Sequence, residues 1–438
     1  MNTTDLLSRW SALSLDEIQQ ELDAGKNLMA TEQLFGVDAV ATMRSGEETR
    51  RFSGPREAVV LLPGLMGSLL SSVRGMITSL WLNPALILRG ESHYLELNQE
   101  GVADRSPNIW ATPVGCEKLC YLKPILALHR ACQLFEFPYD WRRPIQFNSD
   151  LLSQALERWA DGDPAMQFTL VGHSMGGLVA RAFAARHTEQ AKRRIKRVIM
   201  HGTPHFGAAG AIGDLMEGNR MMALASALND NNSLRRFVLN MPSAYQLLPS
   251  PRGIFPEAQR RYPVNFDVYD ARQWRMEGVR QDFLDEGRRF HELLADFNHP
   301  VEMIAIAGCH LETKTDAVLS FDAAERPSLL IHVQSEGPDS GDGTVPLYSA
   351  QLPGAQMYYI QEVHRYLTRN DQVTQATIDL IYGRTPDLPT QLPQPRGGIL
   401  GLFRAVGDPE SEAARLRQRL TDGVATEQDL EQFYFLDF

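Results

Sequence analysis

Ser174 stands in the pentapeptide GHSMG (residues 172–176), a GxSxG pattern. A serine in this pattern can attack an ester carbonyl when a strand precedes it and a helix follows, because the glycines allow a tight turn that lifts the side chain above the sheet. The apolar run Gln167–Val171 and the Ala-rich stretch Met175–Arg186 predict those two elements. We therefore predict a nucleophile on a strand-to-helix turn; the alternative is a glycine turn around a buried serine.

The residues that would activate this serine follow from chain order. A serine hydroxyl needs a general base, and hydrolases with this pattern carry an acidic residue and then a histidine after the serine. Asp342 lies in the glycine-flanked segment SGDGTVP, and His364 is the only one of the 11 histidines that follows it. We predict that Ser174 attacks, that His364 accepts its proton and that Asp342 orients the imidazole.

Other residues compete for the acid and base roles. Asp339, just upstream of Asp342, is the second candidate acid, and Asp316 is a third, which would also admit His332 as the base. His332 lies inside the apolar segment SLLIHV, which favours a strand residue over a base. The alternative for Asp342 is a turn aspartate in a glycine-rich loop, and for His364 it is a surface histidine.

An ester hydrolase also needs two backbone N–H groups for the oxyanion that forms during attack. The amide of Met175 is one candidate, because it follows the nucleophile at a helix N-terminus, where the helix dipole is positive. The second candidate is the amide of Leu65, in the segment LLPGLMGS after the apolar run Ala58–Leu62. A plain Pro-Gly turn is the alternative for that segment.

Other polar motifs predict structure rather than chemistry. His201 and His205 bound the segment HGTPH, but no carboxylate or cysteine lies near them in sequence, so we expect a strand-end loop and no metal site. Asp140 and Arg142, in PYDWRRP, are expected to pair beneath the site. The four cysteines contain no CxxC pattern and are expected to be reduced thiols. No cofactor is expected.

Short apolar runs alternate with helical segments along the chain. Runs that are apolar throughout are typical of strands buried on both faces, and their alternation with helices predicts a mostly parallel sheet covered by helices, an α/β fold. The predicted strands are Ala58–Leu62, Gln133–Phe137, Gln167–Val171, Arg197–Met200, Val301–Ala307 and Met357–Ile360. The predicted helices are Asp150–Ala160, Met175–Arg186 and Asp371–Tyr382.

Four segments fall outside this alternation. Residues 68–116 are rich in Leu, Trp and Pro and residues 206–300 are helical; both follow strand ends, where α/β enzymes carry lids and binding loops. Residues 1–57 are polar and helix-prone, and residues 385–438 begin with a Pro/Gly-rich linker. We predict a catalytic domain over 58–384 with a lid and a helical cap insertion, between an N-terminal helical extension and a C-terminal tail.

Composition excludes several classes of partner. The chain has 438 residues, of which 43% are hydrophobic, and a formal net charge of −11. This charge argues against nucleic acid and against electrostatic capture by an anionic membrane, and leaves a neutral lipid or amphiphilic ester as a suitable substrate. The N-terminal segment has no secretory-signal pattern and no apolar run reaches roughly 18 residues, so we expect a cytoplasmic location. Export by a machine that needs no signal peptide would leave no trace in the sequence.

Seven motifs in a fixed order resemble one known family. They are LLPGLMGSLL, FPYDWR, LVGHSMGG, HGTPHFGA, SAYQLLP, GDGTVP, and EVH followed by DQVTQATIDLI. The set resembles the lecithin–cholesterol acyltransferase family, a branch of the α/β-hydrolases that includes phospholipases and lipid acyltransferases, over about residues 58–384. The resemblance implies an α/β-hydrolase fold with the same triad and the same two oxyanion donors that the residues themselves predict.

The resemblance also implies a role for the apolar insertion. In the family, the segment that matches 68–116 includes a mobile lid beside the active site, and Trp81, in LWLNPALILRG, would be its aromatic substrate contact. Such a lid would touch a membrane surface transiently, and the terminal extensions are candidates for binding a protein partner. The alternative is that the apolar residues of the insertion form buried core.

Three functions fit these observations. The first is a serine hydrolase that cleaves lipid carboxylic esters, of the lipase or phospholipase A type, through an acyl-enzyme on Ser174. The second is a lipid O-acyltransferase that passes the same acyl group to an alcohol; the choice between water and alcohol depends on water exclusion and acceptor binding. The third is a non-catalytic binding module, against which the matched serine, aspartate and histidine argue.

Overall fold

A single parallel sheet organises the computed structural model of this chain. The structure describes residues 3–11, 13–44, 57–72, 78–81, 83–216, 218, 220–232, 234–254, 265–296, 298–321, 327–395, 409–422 and 429. The strands are β1 (Ala58–Leu62), β2 (Ser68–Ser72), β3 (Thr78–Trp81), β4 (Ala111–Cys116), β5 (Gln133–Glu136), β6 (Phe168–His173), β7 (Ile195–His201), β8 (Glu302–Gly308), β9 (Thr313–Phe321), β10 (Pro327–Gln334) and β11 (Gln356–Ile360).

The central sheet has six strands in the order β11-β8-β7-β6-β1-β5, and every neighbouring pair is parallel. These are the six strands that the apolar runs predict, with bounds that differ by one or two residues at most ends. The burial of every residue of β1 and β6 agrees with strands covered on both faces. The prediction of an α/β fold is therefore confirmed.

Helices cover both faces of this sheet. In chain order they are α1 (Thr3–Trp10), α2 (Leu15–Asp23), α3 (Leu28–Phe35), α4 (Val37–Arg44), α5 (Pro84–Arg89), α6 (Lys118–Ala131), α7 (Ile145–Ala160), α8 (Met175–Arg186), α9 (Thr188–Arg194), α10 (Gly210–Met216), α11 (Arg220–Leu228), α12 (Leu234–Leu239), α13 (Pro242–Gln246), α14 (Ala271–Trp274), α15 (Gln281–Leu293), α16 (Leu347–Ala350), α17 (Asp371–Ile381) and α18 (Pro409–Thr421). Short 3₁₀ helices cover Ser92–Leu95, Gly337–Asp339 and His364–Tyr366. Across the described ranges, no helix has the length and apolar character needed to span a bilayer.

The alternation of β1 divides the apolar core in two. Val60 and Leu62 pack with α7 and α8 on one face of the sheet, whereas Val59 and Leu61 pack with α6 and α17 on the other. Successive side chains of a strand point to opposite faces, so an all-apolar strand serves both layers. The strand is therefore covered on both faces, and its carboxyl end leads directly into the loop that contains Leu65.

The insertion 68–116 and the segment after β8 contain strands that lie outside the central sheet. The segment 68–116 forms a three-stranded antiparallel sheet, in the order β3-β2-β4, together with α5. After β8, the antiparallel hairpin β9–β10 leaves the central sheet, and a bridge between Leu311 and Gly341 marks where the chain returns to it. The described residues of 206–300 include the helices α10 to α15.

The helices outside the sheet layers pack on the catalytic domain rather than standing apart from it. Helices α1 to α4 form an apolar cluster with Leu119, Leu122 and Leu126 on one face of α6. Near the other terminus, Ala413 and Leu416 of α18 join the main core beside α11. Both terminal regions therefore contribute buried apolar surface.

Candidate active site

Ser174 occupies a strained turn between β6 and α8. Its backbone has φ 52° and ψ −123°, a conformation that a non-glycine residue adopts only when its surroundings hold it there. The Ser174 amide donates to the carbonyl of His201 at 2.8 Å. Gly172 and Gly176 allow the close approach, since a Cβ at Gly172 would lie 2.6 Å from the Gly177 nitrogen and one at Gly176 would lie 2.3 Å from the Leu62 oxygen.

Asp342 and His364 meet at the carboxyl edge of the same sheet. His364 Nδ1 lies 2.7 Å from Asp342 Oδ2, and the His364 amide donates to the Asp342 carbonyl at 2.8 Å. Asp342 is fully buried, and its other carboxyl oxygen accepts from the amides of Thr344 and Val345 at 3.0 and 2.7 Å. When Nδ1 donates its proton to the carboxylate, Nε2 is the nitrogen left to accept one.

One cleft is shared by Ser174 and His364. Its empty volume of about 610 Å³ includes space that is open to solvent. Its lining consists of Gly64, Leu65, Met66, Gly67, Glu117, Cys120, Tyr121, His173, Ser174, Pro204, Ala208, Leu247, Thr344, Val345 and His364. The structure thus brings the predicted nucleophile, the predicted base and one predicted oxyanion donor to a single place.

Gly202 is a residue of the site that sequence reasoning missed. Its φ is +56°, and a Cβ there would lie 3.0 Å from both Asp342 Oδ2 and His364 Nδ1. A side chain at this position would press on the aspartate–histidine contact. The positive φ could not be seen in the segment HGTPHFG, which matches several kinds of strand-end loop.

The competing acids lie elsewhere. Asp339 is exposed on the short helix Gly337–Asp339 and does not line the cleft. Asp316 and His332 face each other across the hairpin β9–β10, where His332 Nδ1 lies 2.6 Å from Asp316 Oδ1. His332 is a strand residue, as the apolar segment predicts, and the pair does not reach the lining of the cleft.

The loop Pro63–Gly67 reaches the cleft from the end of β1. Leu65 lines the cleft, and an internal bond joins the Gly67 amide to the Gly64 carbonyl at 3.0 Å. Four other bonds come from distant residues: Tyr139 Oη to Pro63 O at 2.6 Å, Gly64 N to Tyr121 Oη at 2.8 Å, Trp81 Nε1 to Met66 O at 2.9 Å and Glu117 N to Gly67 O at 2.9 Å. The loop is therefore fixed around Leu65, whose amide has no hydrogen-bond partner within the described ranges.

Met175 is the first residue of α8 and follows Ser174 directly. Its side chain is buried in the main core. The first N–H groups of a helix have no intrahelical acceptor, and the helix dipole adds partial positive charge at this end. The amide of Met175 thus lies at the start of the helix, directly after the serine.

Trp81 does not line the cleft. The side chain is 1% exposed, and its ring packs edge-on against Trp141 with centroids 5.6 Å apart. Its indole N–H donates a hydrogen bond to the Met66 carbonyl. The structure therefore places Trp81 behind the loop Pro63–Gly67, which it supports, and outside the lining of the cleft.

The Asp140–Arg142 pair is present, as predicted. Arg142 Nε and Nη2 donate to the two carboxyl oxygens of Asp140 at 2.8 and 2.7 Å, and Nη2 also reaches Asp104 Oδ1 at 2.9 Å. Burial alone would lower the pKa of Arg142, but the carboxylates of Asp140 and Asp104 raise it above its usual value. Since Asp104 belongs to the segment 68–116, this buried cation ties that segment to the loop that follows β5.

The histidines of HGTPH form no metal site. His201 Nε2 contacts Thr377 Oγ1 at 3.0 Å, whereas His205 Nδ1 contacts Arg181 at 3.3 Å. Burial lowers the pKa of His201 to about 4 and that of His205 well below its usual value, so both rings are neutral. Within the part of the chain that the structure describes, no group of three or more His, Cys, Asp or Glu side chains could hold a metal ion.

Comparison with known proteins supports the family resemblance. The family model described as Lecithin:cholesterol acyltransferase matches residues 128–324. Among curated proteins, Phospholipase A(1) LCAT3 of Arabidopsis thaliana is 23% identical over 239 residues, which cover 45% of this chain and 53% of that one. Lecithin-cholesterol acyltransferase-like 4 of the same plant is 22% identical over 268 residues, 51% of this chain and 49% of that one. The chain spans about half the length of the curated relatives it matches.

Solved structures are similar over a larger share of the chain. The crystal structure of a Tle4–Tli4 complex aligns with a TM-score of 0.44 and 14% identity, over 74% of this chain and 98% of that one. The mature form of the Bacillus licheniformis lipase BlEst2 aligns with a TM-score of 0.38 and 15% identity, over 77% of this chain and 96% of that one. The family match confirms the resemblance that the ordered motifs indicate.

Proposed function

We propose that this chain is a serine hydrolase that cleaves carboxylic esters of lipids through an acyl-enzyme on Ser174. The observation that carries the proposal is the cleft shared by Ser174, on its strained turn, and His364, whose Nδ1 lies 2.7 Å from the buried Asp342 carboxylate. Nucleophilic ester cleavage requires a serine nucleophile and a histidine base that an acid orients, and these observations support Ser174, His364 and Asp342 in those roles. A relative named as a phospholipase A1 and the matching family model support a lipid as the substrate class.

The proposed reaction has two halves. Ser174 Oγ attacks the ester carbonyl while His364 Nε2 takes its proton. The resulting oxyanion accepts hydrogen bonds from the amides of Leu65 and Met175. The tetrahedral intermediate collapses, His364 returns the proton to the departing alcohol, and the acyl group remains on the serine. Water then attacks the acyl-enzyme with His364 again as the base, which releases the fatty acid and the free enzyme.

The cleft has a lining that suits an acyl chain. Apolar side chains dominate it, among them Leu65, Met66, Leu247 and Val345. Apolar walls with a few convergent polar groups are typical of sites for amphiphilic ligands.

The lid segment supports transient contact with a lipid surface. Its exposed side chains include Trp110 and Val114, at 58% and 51% exposure, on and beside β4. Amphipathic aromatic rings such as that of tryptophan favour the interface between lipid and water.

Transfer of the acyl group to an alcohol is the second candidate. The family model that matches residues 128–324 is described as an acyltransferase, and the acyl-enzyme is common to both reactions. Incubation of phospholipid with and without a long-chain alcohol separates the two reactions. New ester formed at the expense of free fatty acid favours the transferase, and unchanged fatty acid release favours the hydrolase.

The test of the nucleophile is the Ser174→Ala variant. We expect a loss of at least about 10⁴-fold in the cleavage of a p-nitrophenyl ester and of phospholipid, because the variant has no group that can form the acyl-enzyme. Ser153→Ala, on α7 and outside the cleft, is the matched control and should keep wild-type rates. A folded Ser174→Ala protein with wild-type activity would remove the basis of the proposal.

A further inference from the structure

A chain of three hydrogen bonds joins the loop Pro63–Gly67, called the oxyanion loop because the proposed reaction uses its Leu65 amide, to the loop of His364. The Gly64 amide lies 2.8 Å from Tyr121 Oη, and Tyr121 Oη lies 2.8 Å from His173 Nδ1. The other nitrogen of that ring, His173 Nε2, lies 3.1 Å from the His364 carbonyl oxygen. All of these groups are buried.

The direction of the chain follows from its two ends. The Gly64 amide can only donate, so the Tyr121 oxygen accepts from it and the hydroxyl proton is left for His173 Nδ1. The His364 carbonyl can only accept, so the proton of the His173 ring lies on Nε2 and is donated to that carbonyl. Each donor therefore has one acceptor, and the chain is satisfied only when His173 is neutral with its proton on Nε2.

The surroundings of His173 keep it neutral. Burial, together with the nearby His364 and His201, lowers the pKa of His173 well below its usual range. Its ring lies beside that of His364, with centroids 4.9 Å apart. A neutral neighbour adds no positive charge where His364 must become a cation during the reaction.

Tyr121 also shapes the loop by contact. A Cβ at Gly67 would lie 2.9 Å from Tyr121 Cε2, so the ring fills the space over that glycine. The ring itself is edge-on to His173, with centroids 5.9 Å apart. Gly64, which the hydroxyl holds, is followed directly by Leu65, whose amide is the second oxyanion donor in the proposed reaction.

We propose that Tyr121 is a positioning residue, which holds the Leu65 amide in place relative to Ser174 and His364 through Gly64 and His173. The inference rests on the proposed function. Tyr121 takes no part in bond making; it sets the distance between the oxyanion donor of one loop and the base of another. One connected set of bonds then joins the loop of Gly64, the turn of Ser174 that follows His173, and the loop of His364.

The expected consequence of Tyr121→Phe is a selective loss of turnover. The ring remains, but the buried Gly64 amide and His173 Nδ1 lose their partner, and Leu65 is free to shift. Loss of a complete oxyanion donor costs about 10²–10³ in kcat, and a displaced donor should cost about tenfold with KM changed less than about twofold.

The decisive measurement compares an oxoester with its thionoester, p-nitrophenyl butyrate and its C=S analogue. Sulfur accepts hydrogen bonds weakly, so the thionoester gains little from the oxyanion donors. Tyr121→Phe should therefore lower the oxo-to-thiono ratio of kcat/KM by about tenfold. Tyr269→Phe, which removes an equally buried hydroxyl that donates to Pro249 O at 2.8 Å, is the matched control and should keep the wild-type ratio.

The outcomes separate this inference from the proposed function. When Ser174→Ala is inactive and Tyr121→Phe keeps the wild-type ratio, the positioning role is overturned and the hydrolase stands. When the wild-type protein cleaves neither ester, both are overturned. Should Tyr121→Phe fail to fold, His173→Leu removes the acceptor of the same hydroxyl, and a wild-type ratio in that variant overturns the inference.

Discussion

Two loops face the same cleft and are held in different ways. The loop Gly341–Pro346 is organised around one of its own side chains: Asp342 accepts from the amides of Thr344 and Val345 through its carboxylate, and its amide donates to Val345 O at 3.3 Å. Leu311, Thr313 and His364 add bonds to this loop from outside. The loop Pro63–Gly67 has one internal bond, and its other bonds come from Tyr121, Tyr139, Trp81 and the Glu117 amide.

The difference teaches where each loop is vulnerable. A loop that is organised by one central side chain loses its shape and its chemistry together when that side chain changes. A loop held from outside by several partners loses position in steps, because the remaining bonds persist when one is removed. Mutations should therefore be severe in the first loop and graded around the second.

The sharpest test of this contrast is Asp342→Asn. The amide cannot stabilise the His364 cation and favours the wrong tautomer, so kcat should fall by about 10³–10⁴-fold. Measurement of kcat for a p-nitrophenyl ester checks this, with Asp339→Asn as the control because that exposed carboxylate does not line the cleft. A larger loss for Asp339→Asn would move the acid and reverse the comparison.

Acid tests the fold beneath the cleft, because that region contains buried neutral histidines such as His201 at the end of β7. Burial lowers the pKa of His201 to about 4 in the folded chain. Between about pH 6.5 and about pH 4, this histidine is therefore protonated in the unfolded chain and neutral in the folded chain. The free energy of unfolding should thus fall as pH falls from about 6.5 towards about 4, by about 2 kcal/mol at pH 5 for this residue alone. Urea unfolding at several pH values measures it.

The matched variant for the acid effect is His201→Gln, which retains a donor for Thr377 but has no ring to protonate. Its unfolding free energy should depend less steeply on pH than that of the wild-type protein. Equal slopes in the two proteins would show that this histidine does not contribute to acid sensitivity.

The smallest effect is expected for Trp81→Phe. The aromatic contact with Trp141 is kept, while Met66 O loses its indole donor, so kcat should fall only about threefold and stability by about 1 kcal/mol, with KM unchanged. Steady-state kinetics on a long-chain ester distinguishes this role from a substrate contact. A rise in KM without a change in kcat would return Trp81 to the substrate surface.

The comparison also explains how much the sequence could predict. The segment SGDGTVP carries within itself the residues that shape its loop, and GHSMG carries the glycines that its turn requires, so both sites could be found locally. The six strands of the central sheet were equally accessible, because strands buried on both faces are apolar throughout. His364 followed from chain order once Asp342 was accepted.

The support of the oxyanion loop could not be predicted in this way. Tyr121 is 57 positions from Gly64 in sequence and stands among leucines of α6, where an aromatic residue fits ordinary core packing. Trp81 is an aromatic residue in an apolar insertion, which fits either a substrate contact or a core residue. Only the packing of β3 shows that its side chain lies in the core. A contact between distant segments leaves no periodic pattern in either of them.

The two buried faces of helix α6 bear on whether residues 58–384 can be produced without the N-terminal helices. One face of it presents Tyr121 to the cleft, and the opposite face presents Leu119, Leu122 and Leu126, each at most 1% exposed beneath α1 to α4. A chain trimmed to residues 58–384 would uncover those leucines on the helix that holds the oxyanion loop, and contiguous exposed apolar surface promotes aggregation. The N-terminal helices and residues 58–384 should therefore be kept together whenever the chain is engineered.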